Sequence, residues 1–196
     1  MKRQLDYLQE KDLGYDYKAV LSVQLLPDPE ANRFSTLIST GMANGELLKT
    51  RLEQHPEISK IAMGTHVFGT NGWAELAYTD DAGTFRRFKM LAVNPAYLDA
   101  FNIEMQSGRN FEEGNGLDQR QSVIINETAA RYFGLEDPIG AKLPGREFGE
   151  HQIIGVTKDF HFTSLHSKVE PLVIVQNIIP IAQGISDSDI IDTVIP

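Results

Sequence analysis

"HQIIGVTKDFHF" (His151–Phe162) decides how the fold is read. Ile153, Ile154 and Val156 are followed by an alternation in which Phe160 and Phe162 project to one face and Asp159 and His161 to the other. That is the two-residue period of a half-buried strand. A strand needs partners, and the flanking sequence supplies candidates. "SVIIN" (122–126) and "VEPLVIVQN" (169–177) read as short buried strands. "WAELAYT" (73–79), "DDAG" and "TFRRFKMLAV" (84–93) read as a hairpin with a loop wider than two residues, so that Trp73, Leu76 and Tyr78 face Phe85, Phe88 and Leu91. "YKAVLSVQLLP" (17–27) and "EISKIAMGTHVF" (57–68) complete the predicted strands.

Helices are marked by their ends. Leu47, Leu48 and Leu52 recur at helical spacing, and Pro56 disfavours helical backbone in the residue before it, which predicts a helix over Gly45–Gln54. "NPAYLDAFN" (94–102) predicts a helix capped by Asn94, with Pro95 where no N–H is needed. In "NETAARYFG" (126–134), Asn126 caps, Glu127 suits the positive end and Gly134 terminates. "GRNFEEGNGLDQRQ" (108–121) reads as loop, and "DPIGAKLPG" (137–145) as a run of turns. Strands and helices mixed without regular βαβ alternation predict an α+β fold.

At 196 residues, 41% of them hydrophobic, the chain is long enough to bury a core. Its formal charge of −9 leaves no basic stripe for nucleic acid. With no cysteine there is no disulfide and no thiolate chemistry. The sequence contains no apolar run of about 18 residues, and no apolar stretch follows Lys2 and Arg3 as in a signal peptide.

Chemistry-bearing readings centre on "KDFHFTSLHSK" (158–168). Asp159, His161 and His166 offer three metal ligands, with His151, His55 or His66 as distant additions, and a zinc site would need three or four of them converging. A triad of Ser164, His161 or His166, and Asp159 lacks the G-x-S-x-G turn of a strained nucleophile. "GLEDPIGAK" (134–142) fails as a phosphate loop in spacing and in its missing hydroxyl. Asp80–Asp81 and Glu112–Glu113 read as hydrated loop charges, and "DSDIID" (187–192) lacks the glycine and glutamate of a calcium loop. The sequon at Asn126 has a stronger explanation as a cap. The expectation is therefore no catalytic, cofactor-binding or metal residue, with "KDFHF" the exit from a core strand where Asp159 and His161 meet water or a neighbouring loop.

Four stretches in order, "QLDYLQEKDLGYDYKAVLSV", "VNPAYLDAFNIEMQSGRNF", "VIINETAARYFGLEDPIGAKL" and "IIGVTKDFHFTSLHSKVEPLVI", resemble the extracytoplasmic core domain of MacB/FtsX-type ABC-transporter permeases in the form common in Bacteroidetes. The resemblance covers about Gln4 to Gln176. It implies a two-lobed α+β body: a mixed α/β lobe over 17–68 and 121–176, and an inserted, mainly β lobe over 69–120 with the hairpin and a short helix. Residues 1–16 would follow a transmembrane helix, and 177–196 would be a divergent or truncated tail. The change of composition after "GTNG" (69–72) agrees with that split.

The resemblance further implies a non-enzymatic domain on the periplasmic side of the cytoplasmic membrane, without cofactor. It would transmit conformational change driven by a separate cytoplasmic ATPase to substrate export or partner signalling. Implied partners are the ATPase, a second copy or paired permease, and a periplasmic adaptor. The alternatives in other classes are a periplasmic ligand-binding or sensor domain and a metal-dependent hydrolase at Asp159, His161 and His166.

Overall fold

The structure is a computed structural model that describes residues 13–17, 20–25, 34–70, 73–80, 82–145, 148, 151–164 and 167–177. In chain order the elements are α1 (Phe34–Leu52), β1 (Glu75–Thr79), β2 (Phe85–Ala92), α2 (Tyr97–Ala100), β3 (Met105–Gly108), α3 (Gly116–Gln121), β4 (Ser122–Asn126), α4 (Glu127–Phe133), β5 (Gln152–Thr157) and β6 (Leu172–Val175). The strands form one mixed sheet in the order β1-β2-β6-β4-β5-β3. β1/β2, β4/β6 and β3/β5 are antiparallel, while β2/β6 and β4/β5 are parallel. This is an α+β fold.

Val123–Ile125 and Leu172–Val175 are unbroken apolar runs because both faces of the central strands are covered. On one face Val123, Ile125, Val173 and Val175 join Leu76, Tyr78, Phe88, Met90 and Phe148, with Ala129 of α4 packed over them. On the other, Ile124, Leu172 and Ile174 join Trp73, Leu91, Tyr97, Leu98, Phe160 and Phe162. The predicted alternation in 158–162 therefore holds for the phenylalanines, both fully buried. Regular pairing nevertheless stops at Thr157.

In the hairpin Leu76 pairs with Phe88 and Thr79 with Phe85, so the turn spans 80–84. Asp80 organises it by accepting from the N–H groups of Ala82 (3.0 Å) and Thr84 (2.8 Å) and from Arg86 Nε (2.7 Å). Two details differ from the sequence reading. Phe85 is exposed beneath the Arg87 guanidinium, and Trp73 and Leu91 lie on the opposite face from Leu76 and Phe88.

Other expectations are corrected. The first helix starts at Phe34, well before Gly45, and ends at Leu52 ahead of Pro56. Residues 20–25 form no strand, and Leu21 is 87% exposed. In 57–68 a single bridge, Gly64 to Val93, replaces the predicted strand. Within the predicted loop 108–121 lies α3, capped by Asn115 through Leu117 N and Asp118 N. Strands from 69–120 and from 121–176 lie in one sheet. β2, from the segment expected to be inserted, pairs with β6, because the main-chain groups of Lys89–Ala92 find their partners at 172–175.

Candidate functional site

The residues singled out from sequence serve as ties between elements. Asp159 Oδ1 accepts from the N–H of Thr128 (2.8 Å), and Oδ2 accepts from the Thr128 hydroxyl and from Arg131 Nη2 (both 2.7 Å). In return Glu127 Oε2 accepts from the N–H of Asp159 (3.1 Å). A carboxylate at the first turn of α4 faces free N–H groups and the positive end of the helix. Asp159 thus meets α4, where water or a loop had been expected. His161 is half-buried, and its N–H donates to the carbonyl of Leu13 (2.8 Å).

The other histidines are scattered. His66 stacks on Trp73 at 4.8 Å, and its Nε2 accepts from the N–H of Ala74. His151 is buried and turns Nδ1 towards the carbonyl of Phe148. Among the described residues, no three histidine, aspartate or glutamate side chains converge as a metal site would require. His166, Asp81 and 187–192 lie outside the described residues. Asn126, read as a cap, accepts from Ala129 N (2.9 Å) and also from Leu172 N (3.0 Å), and donates to the carbonyl of Glu170 (2.9 Å). Gly134 ends α4 in the left-handed region at φ 70°.

A second clamp was not legible as such. Asp118 is fully buried in α3 and takes a bidentate hold on Arg109, with Nη1 to Oδ2 at 2.7 Å and Nη2 to Oδ1 at 2.8 Å. It also accepts from Glu112 N and the Ser122 hydroxyl. The Arg109 guanidinium, aided by these donors, holds its carboxyl at about 2, against the ordinary 3.8. The signal was present in "NGLD": an asparagine cap with an aspartate three residues on marks a helix start.

The third feature is a cleft of about 320 Å³ between α1 and the sheet body, lined among others by Lys49, Ile58, Ile61, Asn94, Pro95 and Glu113. Asn94 does not cap α2, whose N-cap is Ala96. Its Oδ1 accepts from Met63 N (2.9 Å) and its Nδ2 donates to the carbonyl of Ile61 (3.0 Å), stitching 61–63 to the end of β2. Lys49 of α1 reaches Glu113 at 3.1 Å, with Glu53 at 3.7 Å and Glu46 at 3.9 Å. The bond to Glu113 raises the affinity of its amine for a proton. Chemically these three assemblies couple elements; each carboxylate named is engaged by a cation, a main-chain N–H or both.

The family model of the MacB-like periplasmic core domain matches residues 16–191. That span runs beyond Gln176, where the resemblance read from sequence ends. No curated protein matches the chain. Similar solved structures include a domain assigned to a permease protein from Porphyromonas gingivalis, at 20% identity over 75% of this chain and 61% of that one, TM-score 0.41. The periplasmic region of MacB from Actinobacillus actinomycetemcomitans gives 16% identity, 70% and 56% coverage and a TM-score of 0.39. The extracellular domain of the noncanonic ABC-type transporter YknZ from Gram-positive bacteria gives 15%, 68%, 62% and 0.43. The chain thus spans less than two thirds of each.

Proposed function

The chain belongs to the MacB-like periplasmic core domain family, and on that premise we propose that it is the extracytoplasmic relay of an ABC-transporter permease. In this reading ATP hydrolysis takes place in a separate cytoplasmic ATPase. The motion crosses the membrane and changes how this domain packs against a second copy or a paired permease, which drives export or signals to an adaptor. The domain lies on the periplasmic side of the cytoplasmic membrane and carries out no reaction itself.

The family match over most of the chain carries the proposal. The physical requirement for a relay is a body that moves without deforming, since force is transmitted only by elements whose internal links outlast those to the partner. Sheet pairing continuous from β1 to β3, locked by Asp159 to α4 and by Asp118 to the 109–112 loop, supports that requirement. Within "KDFHFTSLHSK", Asp159 contributes such a link through its carboxylate to Arg131, and His161 through its main-chain N–H to the carbonyl of Leu13.

The test uses the full-length permease with its ATPase. This segment has no cysteine, so Phe85→Cys and Leu117→Cys place spin labels at two exposed positions. The Phe85–Leu117 distance within one domain should stay constant between nucleotide-free and ATP-trapped states, while distances from Phe85 to the neighbouring permease subunit change. Invariant intersubunit distances, or hydrolytic turnover by this chain that disappears with His161→Ala, would defeat the reading.

A further inference from the structure

We propose that α1 is a movable arm latched by a lysine that exchanges carboxylates: Lys49 holds the arm to the sheet body through Glu113, and the arm lifts when Lys49 turns to Glu46 and Glu53 beside it on the chain. The inference rests on this chain's own contacts and stands whether or not the chain serves a permease.

Gly45 and Lys49 are four residues apart and so share one face of α1. At Gly45 the backbone comes so close to Met63 that an added Cβ would sit 2.7 Å from its sulfur. At Lys49 the link is the ion pair to Glu113. The far end of the connection is fixed, because Asn94 holds 61 and 63 and Lys60 Nζ donates to the carbonyl of Asp99 (3.0 Å). Between them, 53–60 has no helix or strand, which leaves a hinge between arm and anchor. The cleft lies beneath, with Ile58 and Ile61 in its wall.

The latch is weak by construction. The Glu113 side chain is 79% exposed, and an ion pair with one solvated partner shifts an equilibrium by about two- to fivefold. Release does not strand the ammonium, since Glu53 and Glu46 are already within 4.0 Å of it. Of the three carboxylates that meet Lys49 among the described residues, Glu113 alone belongs to the sheet body, so the choice of partner selects between docked and lifted arms.

The latch is tested in this chain alone, with Leu47→Cys on α1 and Leu117→Cys on α3 carrying spin labels; both leucines are exposed, and the chain has no cysteine of its own. Glu113→Gln should raise the long-distance population about two- to fivefold, and salt at roughly 0.5 M should do the same to the parent while adding little to the variant. The double variant Glu46→Gln/Glu53→Gln should lower that population, because among the described residues Glu113 is then the carboxylate left to Lys49. An unaltered distance distribution in Glu113→Gln, or opening by the double variant, would overturn the proposal.

Discussion

Replacing Asp118 by asparagine removes one charge from a fully buried position and leaves the helix cap at Asn115 in place. The carboxyl is held at about 2 when folded and returns to about 3.8 when unfolded. That difference corresponds to roughly 2.4 kcal/mol of stability at neutral pH. Because the folded value is depressed, the contribution is complete above about pH 5 and is lost as pH falls towards 2, with about half remaining at pH 3. Arg109 is 42% exposed, so its guanidinium stays hydrated after the substitution. The loss should therefore remain below the roughly 3–5 kcal/mol of a fully buried orphaned charge. For a chain of this length the melting temperature should fall by roughly 5–10 °C. Urea melts of parent and Asp118→Asn at pH 7, 5 and 3 measure the gap directly, since every other carboxylate is common to both. A gap independent of pH, or one under about 1 kcal/mol at pH 7, would mean that packing and not the Arg109 pair holds the loop.

Asn126→Ala should destabilise by about 2–4 kcal/mol, because Ala129 N, Leu172 N and the Glu170 carbonyl all lose their partner in a buried site; a loss under about 1 kcal/mol in chemical denaturation would show that water replaces it. Gly108→Ala should be among the most damaging small substitutions. A Cβ there would lie 2.2 Å from the Ile154 carbonyl oxygen, in a residue at φ 73°, so β3 should detach from β5, read as faster amide exchange at 155–157 with β4 and β6 protected. Uniform protection across all these strands would contradict it.

Elements defined by local rules were legible. Asn126 and Gly134 bracket α4 because a side-chain acceptor and a left-handed residue act within one turn. The hairpin followed from two apolar runs and a turn rich in aspartate and glycine. The burial of Phe160 and Phe162 followed from alternation alone. What failed depended on distant partners. "VLSVQL" has strand composition, yet 20–25 form no strand in the described structure. Asn94 looked like a cap, but the main-chain groups of Ile61 and Met63 claim its side chain. Asp159 and His161 looked like a potential ligand pair, and the first turn of α4 takes the aspartate.

The amino-acid sequence alone determined the α+β class, the hairpin, α4 with its caps and the apolar strands, since these rest on periodicities of two and about 3.6 residues and on backbone preferences of single residues. Family membership also lay in the ordered stretches of the chain. Only the tertiary structure decided that 69–120 and 121–176 share one sheet, that Asp118 is a buried clamp, and that Lys49 reaches Glu113. Those outcomes turn on which of several chemically equivalent partners, far apart along the chain, comes within about 3 Å, and no local pattern records that distance.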